Sequence, residues 1–290
     1  MGPRAKKPVV ITLLVAVVLL GAIITVVVLR QEALIYFPRA YSEAELDAAE
    51  SVVILDYVTD QGKQTAWLLP PRHRGADSSV TLWVVFGGNA SLALHWLGFA
   101  RAVPDAHTAF LLVDYPGYGR CEGHPSPASI HRSSDLALQR ALEHPSIHSA
   151  HPPRIAALGH SLGAAAALQL ASRTEVEHLV LLAPFTSMLD MARRTVGGPL
   201  ARFLRHRFDN RAHLEEVLQK FPSTRITIVH GTRDEVIPVV MGRELAASAP
   251  ARIEYVELDD ADHNALVVIY DQELYRIMLR PPAQLSTPHR

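Results

Sequence analysis

The stretch Arg154-Ile155-Ala156-Ala157-Leu158-Gly159-His160-Ser161-Leu162-Gly163-Ala164-Ala165-Ala166-Ala167 decides how the whole chain is read. Its first five residues form a run of strand length that is apolar after Arg154, and its last four are strong helix formers, so Ser161 stands at a corner between strand and helix. A backbone turning that sharply is strained at the serine, and glycine on either side relieves crowding against strand and helix. Gly-x-Ser-x-Gly in this context exposes a serine hydroxyl as a nucleophile. The five-residue pattern is common by itself; its strand and helix neighbours give it weight.

Outward from this corner, residues 81–86, 110–114, 154–158, 178–182, 225–229 and 253–258 are nearly continuous apolar runs, as expected of strands covered on both faces. Helical patterns at 92–102, 127–143, 162–173, 239–249 and 266–279 fall between them. That alternation predicts an α/β architecture with a mostly parallel central sheet and helices on both faces. Residues 52–58 and 65–69 flank Asp60-Gln61-Gly62-Lys63 and read as an antiparallel hairpin opening the sheet. Residues 186–224 are the one long strand-poor insertion, a candidate lid or pocket wall.

A serine hydroxyl is a poor nucleophile at neutral pH, so a base must take its proton and an acid must hold that base in one tautomer. In chain order the acid follows the serine and the histidine comes last. After the strand ending at Val229 comes His230-Gly231-Thr232-Arg233-Asp234-Glu235, which makes Asp234 the candidate acid, with Glu235 as the weaker alternative. After residues 253–258 comes Asp259-Asp260-Ala261-Asp262-His263-Asn264, which makes His263 the candidate base. Negative charge developing on a carbonyl oxygen needs donors, and the backbone N–H groups of Asn89 and Leu162 are assigned to that oxyanion hole, with Gly88 as fallback for the first. The Asn89 side chain has a competing structural reading, in which it holds its own loop.

Residues 9–29 form an uncharged stretch of about 21 residues, long enough as a helix to cross the roughly 30 Å hydrocarbon core of a bilayer. A cleaved signal peptide has a shorter apolar region and a small-residue cleavage site, which Leu29-Arg30-Gln31-Glu32 lacks, so an uncleaved signal anchor is expected. Arg4, Lys6 and Lys7 precede the span and only Arg30 and Arg39 follow closely, which predicts a cytoplasmic N-terminus and a periplasmic or otherwise extracytoplasmic catalytic domain. The expected organisation is 1–8 cytoplasmic, 9–29 transmembrane, 30–51 connector, 52–280 folded domain and 281–290 disordered tail.

A net charge of −1, from 28 basic and 29 acidic residues, gives no reason to expect nucleic acid. The lone Cys121 cannot form an internal disulfide and reads as loop filler. Among 15 histidines, His144, His148 and His151 have helical spacing, but Pro145, Pro152 and Pro153 break the helix that a metal site would need. His160 reads as a local packing residue, and Arg193, Arg194, Arg202, Arg205 and Arg207 as a solvated face or a contact for anionic lipid headgroups.

Taken together, the Gly87-Gly88-Asn89-Ala90 loop, the serine corner, the acid loop and the late histidine resemble an α/β-hydrolase of the membrane-anchored group related to serine aminopeptidase-like and lysophospholipase-like enzymes. Asp114-Tyr115-Pro116-Gly117-Tyr118-Gly119 and Arg207-Phe208-Asp209-Asn210 resemble further segments of that group, and the similarity covers roughly residues 34 to 280. Two departures stand out: Gly87 where the group has His, and Asp262 where it has Gly before the catalytic histidine. The resemblance implies the α/β-hydrolase fold with the triad on Ser161, Asp234 and His263. The expected function is a membrane-tethered serine hydrolase that cleaves carboxylic ester or thioester bonds of acyl, lipid-like substrates through an acyl-enzyme. It calls for no cofactor and no metal; its partners are a small acyl substrate and the lipid bilayer. The rival readings are a serine peptidase or amidase on the same fold and a non-catalytic, membrane-anchored binding protein.

Overall fold

A computed structural model describes residues 6–50, 52–73, 79–148 and 151–280. The basic residue Arg4 and the expected tail 281–290 lie outside these described residues. The chain opens with a 30-residue helix, α1 (Lys6–Ile35), and a short helix, α2 (Glu43–Asp47). The apolar window Val9–Val26 of α1 is long enough to cross a membrane, and none of it is buried. Helix α1 continues past Arg30 because Gln31, Glu32, Ala33 and Leu34 are all good helix formers. In α2, Ser42 and Glu45 form a reciprocal capping box, each side chain bonding the other's backbone N–H.

The sheet has eight strands: β1 (Val53–Thr59), β2 (Gly62–Leu69), β3 (Thr81–Phe86), β4 (Thr108–Val113), β5 (Arg154–His160), β6 (His178–Leu182), β7 (Arg225–Gly231) and β8 (Ile253–Leu258). Their spatial order is β1-β2-β4-β3-β5-β6-β7-β8. The β1/β2 and β2/β4 pairs are antiparallel and every other pair is parallel. The connecting helices are α3 (Leu97–Ala102), entered through a 3₁₀ turn at Ala93–Trp96, then α4 (Pro127–Glu143) and α5 (Leu162–Ala171). The insertion after β6 folds as α6 (Met188–Val196), α7 (Gly198–Ala201) and α8 (Asn210–Lys220). The last helices are α9 (Val239–Ala247), α10 (Ala265–Val268) and α11 (Asp271–Leu279).

Side chains alternate across the sheet, and both faces are covered. In β3, Leu82, Val84 and Phe86 join one core cluster while Trp83 and Val85 join the other. The first cluster takes in α4, α5, α8 and α9; the second takes in α3 and α11. Every residue of α5 is buried, and its alanines let the helix lie close against the middle of the sheet. The strand ends near β3, β5, β7 and β8 therefore converge on one edge of the sheet, where loops carry the candidate residues. This is the usual place for ligands in open parallel sheets.

One long helix predicted over 266–279 is in fact two, α10 and α11, separated at Ile269 and Tyr270. The hydrophobic period ran through a break that only Tyr270, as the N-cap of α11, marks. Likewise, the predicted helix over 92–102 begins as the 3₁₀ turn before regularising at Leu97.

Candidate active site

Ser161 sits between β5 and α5 with φ 57° and ψ −117°, a backbone region that side-chain-bearing residues seldom adopt. Its N–H donates to the Leu182 carbonyl at 2.9 Å, which fixes the corner to β6. A Cβ on Gly159 would collide with the Gly163 carbonyl, and one on Gly163 would collide with the Phe86 carbonyl. Both glycines of the motif are thus required by the closeness of backbone to backbone, and the strain at Ser161 is held by its surroundings.

Asp234 and His263 come from the loops after β7 and β8, and His263 Nδ1 donates to Asp234 Oδ2 at 2.7 Å. The other carboxylate oxygen accepts from the N–H groups of Val236 at 2.9 Å and Ile237 at 2.7 Å. A second imidazole approaches from below the loop: His230 Nε2 donates to the Ile237 carbonyl at 2.9 Å and lies 3.3 Å from Asp234 Oδ2. Burial opposes ionisation of Asp234, but hydrogen bonds from His230 and His263, the electrostatic influence of the His263 ring and the Ile237 amide outweigh it. The carboxyl is held below the ordinary carboxylate range. Glu235, the alternative acid, is exposed.

The sequence assigns His160 only local packing and Gln31 only a place in the connector, while the apolar patch Leu34-Ile35-Tyr36-Phe37 is expected near the bilayer or against the domain, and Tyr36 is buried in the domain. In the structure His160 Nε2 donates to the backbone carbonyl of His263 at 2.9 Å, and the two rings lie 4.7 Å apart. Burial and the neighbouring His263 push the His160 pKa down to about 4, so its ring is neutral near pH 7. Asp262 is exposed, and one of its carboxylate oxygens accepts from the N–H groups of Asn264 at 2.9 Å and Ala265 at 2.8 Å at the start of α10. These contacts settle His263 from both sides. Contacts between segments so distant in sequence leave no local signal.

The loop after β3 is braced by the Asp114–Gly119 segment. Tyr115 OH donates to the Gly87 carbonyl at 2.6 Å and Tyr118 OH to Asn89 Oδ1 at 2.7 Å. Asp114, buried below the loop, accepts from Tyr41 OH at 2.6 Å, Ala93 N–H at 2.8 Å and Trp67 Nε1 at 3.0 Å. Its burial raises its pKa, partly offset by those same donors. The Asn89 side chain reaches into the segment after α1: its Nδ2 donates to the Ile35 carbonyl at 2.6 Å, and its Oδ1 accepts from Phe37 N–H at 3.0 Å. Among the described residues, the backbone N–H groups of Asn89 and Leu162 have no protein acceptor.

Ser161 lies where two cavities meet. One, of about 450 Å³, is lined by Gly88, Asn89, His160, Ser161 and His263. The other, of about 320 Å³, is lined by Ser161, Leu162, Phe185, Met188 and Met191 together with residues of α1. The structure therefore brings together Ser161, His263, Gly88 and Asn89 at one cavity, with Asp234 bonded behind His263 and Leu162 at the adjoining cavity. Cys121 is buried, and burial raises its thiol pKa, which leaves it protonated and unreactive.

Known proteins share both this sequence and this architecture. The sequence model of the alpha/beta hydrolase family matches residues 83–225. An uncharacterised protein of Mycobacterium tuberculosis is 30% identical over 274 residues, covering 90% of this chain and 89% of that one. The solved structure of an alpha-beta hydrolase from Vibrio vulnificus superposes with a TM-score of 0.64 at 19% identity, over 83% of this chain and 87% of that one. A Pyrococcus furiosus esterase superposes with a TM-score of 0.59 at 15% identity, over 84% of this chain and 94% of that one. With the strand order, the turn at Ser161 and a relative matched over nearly its whole length, the chain belongs to the alpha/beta hydrolase family.

Proposed function

We propose that the chain is a membrane-tethered serine hydrolase of carboxylic esters or thioesters, with lipid-like acyl compounds as substrates. The observation that carries this reading is the 2.7 Å bond from His263 to Asp234 beside the cavity that also exposes the strained Ser161. His263 Nε2 takes the Ser161 proton as the hydroxyl oxygen attacks the carbonyl carbon, and Asp234 keeps the other ring nitrogen protonated. The oxyanion accepts from the N–H groups of Leu162 and Asn89, with Gly88 as the alternative to Asn89. His263 then protonates the departing alcohol or thiol, and water admitted to the same base hydrolyses the acyl-enzyme. The apolar cavity beside Ser161 suits an acyl chain and so supports an acyl compound as substrate. The Pyrococcus neighbour described as an esterase agrees with an ester substrate.

Helix α1 supports tethering, with residues 9–29 as the span, residues 1–8 cytoplasmic and the domain of residues 52–280 outside the cytoplasm. An alkyl fluorophosphonate should label the full-length protein, and the label should vanish in Ser161→Ala. Labelling that survives the substitution would remove Ser161 from the role of nucleophile. A folded wild-type protein that takes no label would favour a tethered binding protein.

A further inference from the structure

The cavity of about 320 Å³ has an unexpected wall. Leu34, Ile35 and Phe37, from the end of α1 and the turn after it, form one part of its lining and Met188, Met191 and Val196 of α6 another, and Ser161 lines it too. Residues 31–37 are built into the domain. Tyr36 is buried, its hydroxyl lies 3.1 Å from His206 Nδ1, and Gln31 Oε1 accepts from Arg205 N–H at 2.6 Å. The α6 lining is fixed too: Ser187 caps α6, and Arg211 holds Asp190 of that helix at 2.6 Å.

The two cavities at Ser161 are not equivalent chemically. The general acid must reach the leaving oxygen, so the leaving group belongs in the cavity that contains His263. The acyl part then points the other way, past Leu162, into the cavity walled by α1 and α6. Among the described residues, no charged side chain lines that second cavity. Its methionines suit an apolar chain of variable shape. Leu34, Phe37 and Val196 are each more than two-fifths exposed, so the apolar lining extends to the outer rim beside the long apolar helix.

We propose that residues 31–37, the junction between the N-terminal helix and the domain, form a specificity element that receives the substrate's linear acyl chain. The proposal rests on the serine hydrolase reading and adds to it the class of substrate, a single-chain acyl ester whose tail lies between Leu34 and Met191. A cavity of about 320 Å³ that opens to its rim is of a size to take an acyl chain of medium length. The bonds from Asn89 to Ile35 and Phe37 tie this wall to the oxyanion loop, so wall and reacting centre keep a fixed separation.

The test uses the full-length protein in detergent and a series of p-nitrophenyl esters from acetate to decanoate. Each added methylene buried in the cavity should raise kcat/KM about fourfold until the chain reaches the rim. Leu34→Trp fills the wall at an exposed position and should lower the decanoate-to-acetate ratio of kcat/KM at least tenfold; Met191→Trp in the α6 lining should do the same. A structural defect would lower both esters together and leave the ratio in place. The proposal is overturned if Leu34→Trp retains the wild-type ratio while Met191→Trp lowers it, since the chain would then avoid the junction. It is equally overturned if the wild-type ratio is flat. A folded wild type with neither turnover nor fluorophosphonate labelling would overturn the hydrolase reading itself.

Discussion

Two truncations differing by seven residues should behave as different proteins. A chain beginning at Gln31 loses most of α1, whose window Val9–Val26 has no buried residue, together with the bond from Gln31 Nε2 to the Val28 carbonyl, but keeps the buried contacts made by residues 31–37. A chain beginning at Pro38 also loses Tyr36, which is 2% exposed, and the hydrogen bonds from Gln31, Ile35, Tyr36 and Phe37 to Arg205, Asn89 and His206. Removing a buried aromatic costs about 3 to 5 kcal/mol. Each lost hydrogen bond adds about 1 kcal/mol, and Asn89 is left with a half-satisfied amide. The expected difference of about 7 to 9 kcal/mol approaches the whole stability of an ordinary domain. Urea unfolding followed by circular dichroism, in one buffer for both chains, measures it. Equal midpoints and equal slopes would show that residues 31–37 are a passive tether, and the account of the junction would fall with them.

Further expectations concern single residues. Gly163→Ala places a methyl against the Phe86 carbonyl and should yield unfolded or insoluble protein, whereas Gly98→Ala in α3 meets nothing within 4 Å and should be neutral or up to about 1 kcal/mol stabilising, as read from thermal midpoints. Asp234→Asn presents an amide to His263 Nδ1 and favours the wrong tautomer; kcat on p-nitrophenyl butyrate should fall about 10⁴-fold while the fold is retained. His160, held neutral with a pKa near 4, binds fewer protons folded than unfolded between about pH 4 and 6.5. Stability must therefore rise with pH across that window, and the loss on acidifying through it is of order 3 kcal/mol. His178, pushed down to about 3 by burial and Arg225, contributes a similar slope, so the His160 share is the part that His160→Gln removes in urea titrations at pH 4.5 and 7. An unchanged difference between those two pH values would contradict the assignment.

What the sequence made legible was local. The apolar runs that became β3, β6 and β8 keep the same ends in the structure, because continuous apolar stretches of strand length bounded by turn residues have few other uses in this pattern. Ser161, Asp234 and His263 were each placed by the strand that precedes them, and the structure brings Asp234 and His263 into contact and sets His263 beside the cavity of Ser161. The missing part was carried by partners far apart in the chain. Nothing around Asn89 signals that its side chain bonds residues 35 and 37, and nothing around His160 signals a bond to the carbonyl of His263. The change at Arg30 from apolar to charged sequence marks where a membrane core would end, but helix propensity ignores that boundary and carries α1 to Ile35. The small helix α2 had its signal in plain view, since Ser42-Glu43-Ala44-Glu45 is a capping pattern.

The unbroken course of α1 also sets a height. A flexible linker of six residues would let a domain wander over distances of about 12 to 15 Å from its anchor. Six residues of helix from Leu29, the end of the proposed span, to Ile35 instead rise about 9 Å, with little freedom along the axis. If α1 spans a bilayer and Ser161 is the nucleophile, as proposed, Ser161 would work at one level above the hydrocarbon, like a blade on a fixed arm. Acyl esters whose cleavable bond lies at that depth would come within reach by lateral diffusion alone, and those carrying it higher or lower would be passed over.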